Sequence, residues 1–177
     1  GIRSRALFEN EHLTHSTFTN VIKLALMLDR YDWIEEFIEA YSQFLSPASR
    51  ADALHYNLAE LYYHRGDYDG VRDHLNQLQF SDIQYHLGSR VVLIKTYYAL
   101  DEIESLLSLL ASFSVYLRRH KKIATPIKKR YLNFCNLLHR VMRRDPRKQE
   151  TIRQQIRTVQ PLAERSWLQE IFEEVRV

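Results

Sequence analysis

The sequence predicts an all-α fold of antiparallel helix pairs stacked in series, about four pairs closed by a C-terminal capping helix. Three observations predict it. An apolar set recurs: Leu58, Ala59, Tyr62, Tyr68, Val71 and Leu75 lie 37 residues after Val21, Ile22, Ala25, Tyr31, Ile34 and Ile38, and 35 residues before Leu93, Ile94, Tyr97, Ile103, Leu106 and Leu110. A period of about 35 is that of stacked helix-turn-helix units. Within each unit the apolar residues keep helical spacing and so share one face. The middle unit breaks at Gly66-Asp67-Tyr68, in a chain with only four glycines.

Taken in order, the pairs are expected at about 16–45, 48–79, 84–119 and 126–159, with the capping helix at about 161–175, one repeat domain over 1–177. The first helix of a pair must end sharply for the second to fold back on it. Gly66 can do this because glycine enters the left-handed conformation without a Cβ penalty. Asp67 can then cap the next helix by accepting from its unpaired amides, as Asp101 or Glu102 could in the third unit. In the first unit, "LDRYD", Asp29 stands in glycine's place and a looser turn is expected. In the last third, Tyr131, Phe134, Leu137, Leu138 and Val141 recur at helical spacing, with Pro126 suited to the first turn of their helix. Asp145-Pro146 restarts a helix to about Val159. Pro161 opens the capping helix with Leu162, Trp167, Leu168, Ile171 and Phe172, which would cover the last apolar face of a stack.

Leu58, Ala59, Tyr62, Gly66, Asp67, Tyr68 and Leu75 resemble the tetratricopeptide repeat, with Val71 where the family usually carries Ala. The resemblance is carried above all by residues 53–79 and extends to 16–45 and 88–118. It implies a right-handed solenoid whose first helices line a concave groove for a protein or peptide partner. The succession "HLTHSTFTNVIKLALML", "DWIEEFIEAY", "NLAELYYHRGDYD" and "VLIKTYYALDEIE" is also similar to the C-terminal parts of long bacterial helical-repeat proteins of unassigned function.

Composition sets outer bounds. Hydrophobic residues at 45% and charged ones at 27% suit a globular chain and argue against wholesale disorder. The longest apolar stretch, "IESLLSLLASFSVYL" from Ile103, is too short and too polar to span a bilayer and reads as a buried helix. Cys135 is the only cysteine, which excludes an internal disulfide and a cysteine zinc cage and favours a reducing compartment, with a cytoplasmic location expected, or indifference to redox. The chain opens on Gly1 without a signal-peptide pattern, which reads as a fragment or processed chain. Charge is uneven: residues 111–160 hold fourteen Lys/Arg against two Asp/Glu, whereas residues 1–110 hold nine against sixteen.

Residues capable of catalysis are scattered. No glycine-rich phosphate loop, nucleophile elbow or HExxH occurs. His12 and His15 in "EHLTH" lack the further ligands that zinc requires. His64, His74, His86 and His139 read as inter-helix or groove residues, Cys135 as a buried thiol, and Glu35-Glu36 and Glu173-Glu174 as solvated charge. No catalytic, cofactor or metal site is expected, and no enzyme. The resemblance implies a groove lined by Thr19, Asn20, Lys23 and Leu26, then Tyr56, Asn57, Glu60, Tyr63 and His64, then Val91, Val92, Lys95 and Tyr98. Asn20 and Asn57 would either hold the backbone of a bound peptide or bond between neighbouring helices. A carboxylate-gripping groove of that family needs basic residues where this chain has Gly88 and Val92. The expected role is a non-catalytic interaction scaffold. The alternative is a nucleic-acid-associated protein using the cations at 118–148, with Arg118, Arg119, Lys121, Lys122, Arg143 and Arg144 as its face. Sparse aromatics among those cations count against it.

Overall fold

The computed structural model describes Phe8, Glu9 and residues 12–174, with side chains from Leu13 onward. Two compact units divide the chain, Gly1–Glu102 and Ile103–Val177. The division falls at the turn of the third expected pair, and charge divides with it: nine Lys/Arg against fifteen Asp/Glu in the first unit, sixteen against seven in the second. The described residues form an all-α fold whose helices pack on their neighbours, preceded by a short antiparallel ribbon of β1 (Phe8–Glu9) and β2 (His12–Leu13).

The first unit runs α1 (His15–Met27), α2 (Tyr31–Tyr41), a 3-10 turn at Ser42–Phe44, α3 (Pro47–Arg65), α4 (Tyr68–Leu75) and α5 (Ile83–Ala99). Helix α3 is its centre, packing against α1, α2, α4 and α5. Repeat-equivalent residues share the same fate: Ile22, Ala59 and Ile94, and likewise Ile34, Val71 and Leu106, have no exposed surface. Leu58, Tyr62, Leu93 and Tyr97, expected at the same depth, are only half-buried. The neighbouring helices sit one helical step to the side of that register, over Ala53, Leu61 and Thr96, which have no exposed surface.

The turns repeat in their hydrogen bonds. Arg30, Asp67 and Glu102 donate their amides to the carbonyls of Ala25, Tyr62 and Tyr97 at 3.0, 2.9 and 2.9 Å. The preceding residues, Asp29, Gly66 and Asp101, donate to Leu26, Tyr63 and Tyr98 at 3.1, 3.0 and 3.1 Å. This is the Schellman closure of a helix C-terminus. It needs a left-handed residue, and Asp29, Gly66 and Asp101 supply φ of 53°, 77° and 57°. The first turn is therefore as tight as the second, because Asp, like Asn, tolerates that conformation better than most side chains. Asp67 caps α4 by accepting from the Gly70 amide at 3.0 Å. Asp101 ends α5 instead of capping the next helix, and the Glu102 carboxylate accepts from Arg72 at 2.7 Å.

Side chains also tie one pair to the next. Asp52, buried on α3, accepts from the Gln79 and Ser81 amides at 2.6 and 2.5 Å, pinning the α4–α5 loop. Arg65 at the end of α3 bonds Glu35 and, at 3.0 Å, Asp32 on α2, so Glu35 is a paired charge and not simply a solvated one. These surface pairs add little stability individually.

The second unit contains α6 (Ile103–Arg119), α7 (Thr125–Arg143), α8 (Gln149–Thr158) and α9 (Arg165–Glu174). Helix α7 packs on α6, α8 and α9. Pro126 occupies its first turn, and Asp145 accepts from the Arg147 amide at 3.0 Å to begin the 3-10 turn before α8. The capping helix starts at Arg165, later than expected. Residues 161–163 are held to α7 instead, the Pro161 carbonyl accepting from Asn133 Nδ2 at 2.8 Å and the Ala163 amide donating to the Arg130 carbonyl at 3.2 Å. Its expected end at Val175 lies outside the described residues. Cys135 is buried, and burial pushes its thiol up to about 11, the opposite of what a nucleophile requires.

Candidate functional site

The first helices of the pairs lie side by side, α1 on α3 and α3 on α5. Tyr56, Glu60 and Tyr63 follow one another along a face of α3, four and then three residues apart. Tyr56 donates its hydroxyl to Glu60 Oε1 at 2.8 Å. From α5, Lys95 places its Nζ 5.7 Å from the centroid of the Tyr63 ring, at cation–π range. Half-buried Tyr98 lies one turn further along α5. Glu60, Tyr63 and Tyr98 are half-buried and Lys95 is only 9% exposed, so a strip of acidic and aromatic surface on two helices lies next to a buried cation.

The other groove candidates separate. Tyr56 is 8% exposed and fills the gap between α3 and α5. A Cβ at Gly88 would lie 2.7 Å from the Tyr56 ring, so glycine at that position permits the close approach. Asn57, 1% exposed, donates to Thr19 Oγ1 on α1 at 3.1 Å and to the Ala53 carbonyl at 2.7 Å, an inter-helix role. Asn20 and Lys23 are exposed on α1. Leu26, Val91 and Val92 are core, and exposed His64 has Nδ1 2.9 Å from the Glu60 carbonyl.

In the second unit Arg118 and Arg119 end α6 and Lys121 and Lys122 lie in the following turn, all exposed. Arg143 and Arg144 stand at the far end of α7. At 1.5 Å per residue, the fourteen residues from Lys129 to Arg143 span about 21 Å. The cations therefore form clusters at opposite ends of α7. Among the described residues these six make no ion pair with Asp or Glu.

A second polar feature joins α3 to α4. His55 and His74 face each other with Nδ1 atoms 3.0 Å apart, and Tyr62 stacks on His74 with centroids 5.1 Å apart. One imidazole must donate and the other accept, so the contact requires at least one neutral ring. Burial lowers the pKa of both, and the charge of His55 lowers that of His74 further, against the opposing pull of Asp52 on the first and of Asp73 and Asp67 on the second. With folded values below the unfolded 6.5, the unfolded chain binds protons more readily, and stability falls as pH drops below that value. The urea midpoint should decrease from pH 7 to pH 5, and His74→Gln should flatten that decrease. An equal decrease in the variant would remove the pair from the explanation.

His55 and Asp52 had no signal in the sequence: each occupies an ordinary helical position, and only the packing of α4 and its loop gives it a partner. The His12 side chain lies outside the described residues. Among the described residues, no three His, Cys, Asp or Glu side chains gather to hold a metal ion, and no helix is long and apolar enough to cross a membrane. Comparison with known proteins returned no match to a family model, a curated protein or a solved structure.

Proposed function

We propose that the protein is a non-catalytic interaction scaffold of tetratricopeptide-like helix pairs, a right-handed solenoid in a reducing compartment such as the cytoplasm, binding a peptide or partner helix along the first helices of its pairs. The recurrence of one turn geometry at Asp29, Gly66 and Asp101 supports the repeat reading. The binding reading is carried by the strip on α3 and α5, where Lys95 lies over Tyr63 beside Glu60 and Tyr98. Such a strip offers a carboxylate and aromatic faces, and aromatic anchors dominate most interfaces.

Tyr63→Ala combined with Tyr98→Ala tests this. Both side chains are half-buried and Tyr63 packs against the core, so melting should fall, but by much less than capture of a partner from source-cell extract. Tyr56 is left intact because it supports α5. Unchanged capture by the double variant would remove the strip from the binding surface.

A further inference from the structure

The slot between the two helices of a pair is filled differently in consecutive pairs. In the first pair Phe18 of α1 stacks on Phe37 of α2, with ring centroids 5.3 Å apart and planes at 27°, and both rings are buried. The residues 37 positions later, at the repeat spacing, are His55 of α3 and His74 of α4. Their rings take up the same arrangement, with centroids 5.3 Å apart and planes at 32°. Tyr62 backs His74 at 5.1 Å and 12°, as Trp33 backs Phe37 at 5.2 Å and 17°. Two apolar rings therefore close this slot where only packing is required. Imidazoles on both sides bring in polar nitrogens that need partners once withdrawn from water. The Nδ1 atoms face each other 3.0 Å apart. A shared proton is one way to satisfy both nitrogens, and a metal ion is the other.

We propose that His55 and His74 together bind a late first-row divalent metal ion, zinc or copper(II), through their Nδ1 atoms, so that the ion clamps α4 to α3. Imidazole nitrogen is an ordinary ligand of these ions, at about 2.0–2.1 Å from zinc. Two such bonds hold their nitrogens about 3.3 Å apart at the tetrahedral angle and about 2.9 Å apart at a right angle. The observed 3.0 Å lies between the two. The rings have only to turn until both lone pairs meet on one point, and the terminal torsion of histidine is broad enough to allow it. Burial lowers the pKa of both rings below 6.5, so both are neutral near pH 7. Binding then needs one change of tautomer, a proton passing from Nδ1 to Nε2 of one ring, with no net proton lost. Asp52, Asp67 and Asp73 add negative charge nearby, which favours a cation. Among the described residues no third protein ligand joins the pair. Both side chains are half-buried, so water from the open side completes the coordination, and the ion exchanges more readily than in a closed four-ligand zinc site. The site rests on the α3–α4 contact alone and stands or falls independently of the strip of the proposed function.

The test titrates the full chain, stripped of metal with a chelator, with zinc alone and with copper(II) alone in a calorimeter. Saturable one-to-one binding is expected, and the urea midpoint should rise with metal concentration, because only the folded chain presents the paired nitrogens. His55→Phe combined with His74→Phe recreates the slot of the first pair, so this double variant should fold while losing the binding. His74→Gln alone should weaken binding by more than about tenfold, a loss that removing even an outer partner of a metal ligand can cause. His139→Gln, at an exposed site on α7, should change nothing. On the unmodified chain, zinc should shift the imidazole nitrogen resonances of His55 and His74 before those of any other histidine, a readout that does not depend on how the variants fold. The proposal is overturned if neither ion binds, if the double variant binds as the wild type does, or if other histidines respond first.

Discussion

Leu61→Ala should lower stability by about 2–5 kcal/mol, the range for truncating a fully buried leucine where the surroundings close only partly over the cavity. Leu61 has no exposed surface and belongs to the apolar cluster that includes Phe18, Ile22, Ile34 and Phe37 of the first pair. Because α3 touches four helices, the loss should reach beyond its own pair, and amides of α1 and α5 should exchange faster together with those of α3. Leu58→Ala, at a half-buried position, should cost clearly less. The shift in urea midpoint checks both. A loss at Leu61 below about 0.5 kcal/mol, the range of surface substitutions, would mean that α3 does not bury this stripe.

Asp52→Ala should cost about 1.5–3 kcal/mol, the range for a hydrogen bond to a charged group, because two amides lose a charged acceptor at once. Burial works against the Asp52 carboxylate, but hydrogen bonds from Ser81 and from the Gln79, Ser81 and Phe80 amides outweigh it and hold its pKa below the usual 3.8. The sign follows directly: the stabilisation is complete above about 3.8 and is lost as pH falls through the lowered folded value. Wild type and Asp52→Asn should therefore differ most near neutrality and converge in acid, and the Gln79 and Ser81 amides should lose their protection from exchange in the variant. A difference that stays constant with pH would show that charge at Asp52 is not what pins the loop.

Local features were legible in the sequence because they depend on a few consecutive residues. The helix spans followed from apolar spacing, the breaks from Gly66 and Asp29, the cap of α4 from Asp67 and the restart before α8 from Asp145-Pro146, whereas Asp101, expected as a cap, ends α5. The match of Asp29 to Gly66 was also legible, whereas the structure added Asp101, which meets the same backbone demand. Only the tertiary structure decided what each helix face meets. Asn20 and Asn57 occupy the same repeat position with the same chemistry, yet Asn57 is buried against Thr19 and Asn20 is exposed, because among the described residues α3 has a helix pair before it and α1 has none. In the same way the cations of one charge-rich segment fall at two ends of a rigid helix, and Tyr56 becomes core because Gly88 lets α5 approach it. A helix signal is written within one turn of chain, whereas burial is a relation between segments tens of residues apart, and the residue types at one of them do not specify the other.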